Sequence, residues 1–331
     1  MAHCYAGHDA NRRALLVAGA ALPTLSPLLS GCETMSGAYN ATVETVSKYM
    51  PSKVGGTTSV GVPEQPTFAF PSGAQLWVMH RGSVSFHAYV APEAMFAGSA
   101  YLIELADRII VFDTTGAPAL GRELRYYANT LKKPIGRVYI SHEHYEQWSG
   151  WGEFADIQTF APRETEAFLA SPAVKPLLRQ GVVLPKIAGN IAPGDERIGN
   201  VTMQVRLQRD AESVAQLMLF FPDQKVALTG DLVYVKRHPY LGNNQLVRWS
   251  AALEQLPAWV GNPDTLLLPG HGAPASGAAV AEMKRYVKAA IEAFAKFKSP
   301  GEIEQSLRAQ FPDWKGEELL RQGIGAAIPR R

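Results

Sequence analysis

Four short apolar runs in this chain stop abruptly on polar, chemistry-bearing residues. Arg108-Ile-Ile-Val-Phe112 leads into Asp113-Thr114-Thr115-Gly116, and Arg137-Val-Tyr-Ile140 leads into Ser141-His142. Lys225 to Thr229 ends on Gly230-Asp231, and Thr265-Leu-Leu-Leu268 ends on Pro269-Gly270-His271-Gly272. Short apolar runs bounded by turn signals read as buried strands. A strand that stops beside a reactive side chain fixes the backbone and leaves that side chain on a loop, where α/β folds concentrate their chemistry.

Strands and helices alternate around these endings. Residues 75–79 and 83–90 read as hairpin strands, followed by a strand over 100–105. Helical spacing covers 119–132, and helices are expected at 165–170, 174–180 and 246–256. Strands are expected at 201–208 and 216–221. Residues 278–327 read as helical, with breaks near Ser299-Pro300-Gly301 and Phe311-Pro312. At 331 residues and 47% apolar content, the chain can bury one large core or two small ones. A net charge of +2 with no basic stripe gives no footprint for nucleic acid, which is not an expected partner.

The N-terminus reads as an address. Arg12-Arg13 precedes an apolar run over 14–22 that breaks at Pro23, and Leu29-Ser30-Gly31-Cys32 follows. The run is too short and too Pro-broken to span a bilayer as a permanent helix. Its order is that of a twin-arginine signal peptide, residues 1–31, ending on a sequence that resembles a lipobox. Cys32 is then the expected lipidation site. Residues 32–66, interrupted by Pro51, Pro63 and Pro66, form the expected flexible tether, with room for a short helix at 42–50. The protein is expected to be exported and anchored by lipid on the periplasmic side of the cell envelope, touching the membrane only through that lipid. The two cysteines, Cys4 and Cys32, both fall in this region, so no disulfide framework is expected.

In Ser141-His142-Glu143-His144-Tyr145-Glu146-Gln147, two histidines stand two residues apart in a loop leaving a strand, and Asp231 and His271 follow on later strand ends. Neutral imidazole and carboxylate oxygen are the ordinary ligands of zinc, iron and manganese. With these motifs, the chain resembles the metallo-β-lactamase superfamily over residues 75 to about 275. Asp113-Thr-Thr-Gly116 looks like the family's early Asp-Thr-Gly turn, 221–231 like the hairpin leading to its bridging aspartate, and Gly270-His271-Gly272 like its last ligand segment. The resemblance implies an α/β fold, a four-layer αβ/βα sandwich over 67–282 with one or two divalent metals at the edge of its sheets. Residues 283–331 would then be a C-terminal helical extension.

The resemblance also implies a ligand set, with departures. His142 and His144 stand where the family has its first two histidines, Glu146 where it has Asp, and Gln147 where it has the next His. Counting back from Asp231 puts Glu212 near the third-His position. One subsite would be His142, His144 and Glu212; the other would be Glu146, Asp231 and His271, with Gln147 a poor neutral ligand. That favours one metal over two, with zinc the first expectation and iron or manganese the alternatives. Asp231 is the expected catalytic residue, while Asp113 and Gln147 are expected to orient ligands. Glu146 reads equally as a ligand or as a neighbouring acceptor. Glu212, placed only by counting, reads more readily as an exposed hairpin residue. Glu143 is expected to face solvent, and His238 is expected to be a solvated loop histidine. Tyr145, Trp148 and Trp151 either wall a pocket or pack beneath the loop. The implied activity is hydrolysis of an ester, lactone, thioester or related bond in a small-molecule substrate. The alternative is a non-catalytic binding protein that keeps the fold around a decayed metal site.

Overall fold

Two β-sheets lie face to face in the computed structural model, which describes residues 61–328. The signal peptide, Cys32 and the tether through residue 60 lie outside the described residues. The first sheet has eight strands in sequence order: β1 (Phe68–Ala69), β2 (Gln75–Arg81), β3 (Val84–Val90), β4 (Ser99–Glu104), β5 (Ile109–Phe112), β6 (Ile135–Tyr139), β7 (Thr159–Ala161) and β8 (Ile187–Asn190). The second contains β9 (Gly194–Ile198), β10 (Val201–Arg209), β11 (Ala215–Phe221), β12 (Val226–Tyr234), β13 (Leu266–His271) and β14 (Ala275–Ser276), in the reverse spatial order β14 to β9. Seven α-helices complete the described chain: α1 (Pro118–Thr130), α2 (Tyr145–Trp148), α3 (Arg163–Leu169), α4 (Leu246–Glu254), α5 (Ala279–Lys296), α6 (Pro300–Gln310) and α7 (Glu317–Ala327).

The apolar strands are buried on both faces, which is why they read as continuous runs and not as alternating ones. In β4, Tyr101 and Ile103 face the second sheet, while Ala100 and Leu102 face α1 and its neighbours. In β13, Leu266 and Leu268 point into the space between the sheets, and Leu267 points toward α4 and α5. The same period of two therefore feeds three apolar clusters, one between the sheets and one on each outer face. The result is a helix–sheet–sheet–helix sandwich, as the resemblance implied, with α5 to α7 packed on the outer face of the second sheet.

Several local expectations need correction. Residues 174–180 do not form an α-helix; Pro172–Leu177 is a 3₁₀ turn with Pro176 inside it, and proline lacks the N–H an α-helix would need there. β8 and β9 were not anticipated. Both are edge strands, and Gly194-Asp-Glu-Arg-Ile198 carries the charged, half-exposed character that edges tolerate. β12 does not stop at Thr229. It continues through Asp231 to Tyr234, with register shifts against β13 between Leu228 and Gly230 and between Gly230 and Tyr234. Such irregularities re-aim side chains beside functional sites.

Candidate metal centre

The polar strand ends converge at one edge of the sandwich. His142 follows β6, Asp231 lies on the irregular stretch of β12, and His271 ends β13. His144 caps the four-residue α2, which carries Glu146 and Gln147. Glu212 lies in the short connection between β10 and β11. It is 1% exposed, so the expected exposed hairpin glutamate is instead a core residue. His142, His144, Glu212 and Asp231 can each offer one ligand atom such that all four lie within 4.8 Å of one another. Glu146, Asp231 and His271 make a second such group, with Asp231 common to both.

Distances inside the cluster are those of side chains facing a common centre. Asp231 Oδ2 is 3.5 Å from His142 Nε2 and 3.2 Å from His271 Nε2. His144 Nδ1 is 3.6 Å from Glu212 Oε1 and 3.9 Å from Glu146 Oε1, and His271 Nε2 is 3.8 Å from Glu146 Oε1. The Tyr234 hydroxyl lies 2.9 Å from Asp231 Oδ2 and 3.1 Å from Glu212 Oε1, and its ring stacks on His271 at 4.5 Å. One hydroxyl proton can serve only one of those carboxylates at a time.

The surroundings hold the ligand atoms in place. His271 Nδ1 donates to the Phe96 carbonyl at 2.9 Å, which leaves Nε2 to face Asp231. His142 Nδ1 is bonded to Ser141 Oγ at 2.9 Å, so its Nε2 also faces inward. Asp113 has a left-handed backbone (φ 64) and accepts from the Ser141 N–H at 2.7 Å, bracing the turn that launches His142. Gln147 Nε2 donates to Asp231 Oδ1 at 3.3 Å. Gly270 is required by close approach: a Cβ there would sit 1.9 Å from Asp231 Oδ1.

Two further expectations fail around this cluster. Glu143 does not face solvent; it is buried, and its Oε1 accepts from the Val214 N–H at 3.0 Å, tying α2's approach to the Glu212 loop. His238 is not a solvated loop histidine. It is buried against Tyr286, whose hydroxyl lies 2.8 Å from Nδ1, and burial lowers its pKa to about 4. The aromatic alternatives divide. Trp148 and Trp151 pack in the interior, their indole N–H groups bonded to the Glu143 carbonyl and to Thr159 Oγ1, while Tyr145 lines the cleft beside His144. Tyr234 was not singled out from sequence: three residues past Asp231, a regular strand would turn it to the opposite face, and the irregular pairing of β12 against β13 brings it to the cluster.

The donor set suits a divalent cation. His142 Nε2, His144 Nε2, His271 Nε2 and Glu212 Oε2 are buried without a hydrogen-bond partner, an arrangement proteins otherwise avoid. Charge points the same way. Burial pushes the Glu212 carboxyl well above its usual range, and repulsion from Asp231, Glu146 and Glu143 adds to that. Burial also acts to raise Asp231, but His271 and His142 outweigh it and hold the carboxyl well below the usual range. His271 is driven up to about 10 against its own burial, mainly by Asp231 and then by Glu146. Taking a cation at Nε2 therefore means releasing a proton, as metal binding to imidazole requires.

Residues 95–273 match the family model described as the metallo-beta-lactamase superfamily. Among solved structures, a metallo-beta-lactamase from Pontibacter korlensis is similar with a TM-score of 0.52 at 17% identity, covering 65% of this chain and 99% of that one. DIM-1 metallo-beta-lactamase is similar with a TM-score of 0.50 at 13% identity, covering 69% and 98%. At these identities the likeness is one of fold. No curated protein sequence matches the chain.

Proposed function

The chain belongs to the metallo-beta-lactamase superfamily, and from that premise we propose that it is a metal-dependent hydrolase acting on an ester, lactone, thioester or related bond of a small molecule. The observation that carries the reading is the buried cluster of His142, His144, Glu212 and Asp231, whose ligand atoms share a 4.8 Å neighbourhood. A divalent metal held there would polarise the scissile carbonyl and acidify a water at neutral pH. His142, His144, Glu212 and Asp231 would hold it, with Glu146 and His271 completing or extending the set. Two imidazoles with two carboxylates suit zinc first, and iron or manganese as well.

The chain's own residues divide the remaining work. Asp231 would be a ligand of that cation and would orient the attacking water. Tyr234, its hydroxyl against Asp231 and Glu212, donates its hydrogen bond to one of these carboxylates at a time. Gln147 occupies the outer side of Asp231 with an amide N–H, which favours one tightly held metal over two. We also propose that the chain is exported and tethered through a lipid on Cys32, on the strength of the Leu29-Ser30-Gly31-Cys32 order.

The test is metal analysis of protein purified without added metal, beside Asp231→Asn and His271→Ala variants and a panel of chromogenic esters. About one metal per chain in the wild type and sharp loss in both variants is the expected result. A well-folded wild type without metal, or unchanged occupancy in both variants, refutes the reading.

A further inference from the structure

The cluster opens onto a cleft of about 70 Å³, small beside the roughly 300–1,000 Å³ of pockets that take drug-sized ligands. His144 and Glu146 form its polar end, and Glu143 adds a second acidic side chain. The rest is apolar and aromatic. Tyr240 stands edge-on to the His144 ring at 5.4 Å, and Phe96 reaches the cleft from the segment whose carbonyl fixes His271. The opposite wall comes from the far end of the chain: Leu319 and Gln322 of α7 line the cleft. No lysine or arginine lines it among the described residues; the Tyr145 hydroxyl feels Arg179, which is outside the lining.

The position of α7 is fixed. The His238 N–H donates to the Lys315 carbonyl at 2.7 Å just before the helix begins. Gly323 lets α7 approach the Tyr240 loop so closely that a Cβ there would lie 2.3 Å from the Leu241 nitrogen. Leu319 is 7% exposed, so its share of the wall is set by packing before any ligand arrives.

We propose that this cleft selects an uncharged substrate carrying a slender, unbranched apolar group beside the scissile carbonyl, and that Leu319 and Gln322 enforce the choice. The inference rests on the hydrolase reading above. Charge supports it: the acidic side chains of Glu143 and Glu146 line the cleft, and no lysine or arginine does. A phosphodiester or sulfate ester entering this cleft would lose its water beside Glu143 and Glu146 with no lysine or arginine in the lining, and the metal alone would have to offset that cost. A neutral ester, lactone or thioester meets no such cost. Size supports it too, because in about 70 Å³ a branched or bicyclic group would have to displace Leu319 or Tyr240 from the lining.

The test is calorimetric titration of the full chain as purified with two probes that share an alkyl tail, neutral hexanamide and anionic hexyl sulfate, with metal content measured on the same samples. Hexanamide is expected to bind at least about ten-fold (about 1.4 kcal/mol) more tightly than hexyl sulfate. Leu319→Ser should weaken hexanamide by about ten-fold at unchanged metal content. Gln322→Arg changes a half-buried helix side chain without disturbing the core, and it should tighten hexyl sulfate by about ten-fold. Equal affinities, no measurable hexanamide binding, or two variants that both behave as wild type would overturn the proposal. Metal-free protein that still prefers hexanamide overturns the hydrolase reading and supports the cleft. Metal-loaded protein that prefers hexyl sulfate overturns the cleft and leaves the hydrolase reading standing.

Discussion

Glu212→Gln should shift stability in opposite directions depending on whether metal is bound. Glu212 and Asp231 place carboxylate oxygens within 4.8 Å of one another in a fully buried site. Two unit charges at that separation repel by about 3.5 kcal/mol at an effective dielectric constant of about 20. Glutamine keeps the shape and removes the charge. In protein stripped of metal by chelation, the wild type avoids part of the repulsion by keeping Glu212 protonated, so relief at neutral pH should be about 1–3 kcal/mol. The sign with pH follows from the raised carboxyl. A group whose folded pKa lies above its unfolded value contributes stability that is fully present below about 4.5 and is lost as pH rises through the folded value. The stripped wild type should therefore weaken progressively above about pH 4.5, and the variant should lack that decline. With metal present the order reverses, because the cation loses an anionic ligand, and affinity should fall by at least about ten-fold. Urea unfolding of stripped and metal-loaded samples between pH 5 and 9, with metal analysis, reads both effects. A stripped variant less stable than stripped wild type across that range would refute the electrostatic account. Unchanged metal affinity would remove Glu212 from the ligand set.

Three further outcomes are expected, two from the geometry of the site and one from the N-terminal sequence. Gln147→His should raise bound metal per chain toward a second equivalent, since the amide already faces Asp231 at 3.3 Å and imidazole is the better ligand; elemental analysis showing no gain would count against that second subsite. Gly270→Ala should destabilise the protein by about 1–3 kcal/mol and lower metal content, because the new Cβ would meet Asp231 Oδ1 at 1.9 Å; a wild-type melting curve would refute this. Cys32→Ser should release the chain from the membrane fraction or leave it uncleaved; a variant still in that fraction at the mature mass would exclude the lipobox.

What could be read from sequence depended on whether the determinants were local. His142, His144, Asp231 and His271 each come at the end of an apolar run in the sequence, so their neighbourhood was legible. Glu212 was not, because it sits in a connection where counting along the flanking strands loses register. Its burial arises from Glu143, Asn243 and Tyr234, all distant in sequence. Small neighbours, Ala211 and Ser213, were the one local hint. His238 was misjudged for a similar reason: its partner Tyr286 comes from α5, 48 residues away. The edge strands β8 and β9 were missed because edges carry little apolar signal.

The six donors are spread unevenly along the chain. His142, His144 and Glu146 come from the first sheet and its short helix, and Glu212, Asp231 and His271 come from the second. Since synthesis runs from the N-terminus, the first three leave the ribosome well before β13 exists. A nascent or truncated chain ending before residue 271 contains the whole first sheet in its sequence and still offers only part of the donor set. Stable metal uptake is then a late event in the molecule's biogenesis. It would mark chains whose two halves have both been made and joined.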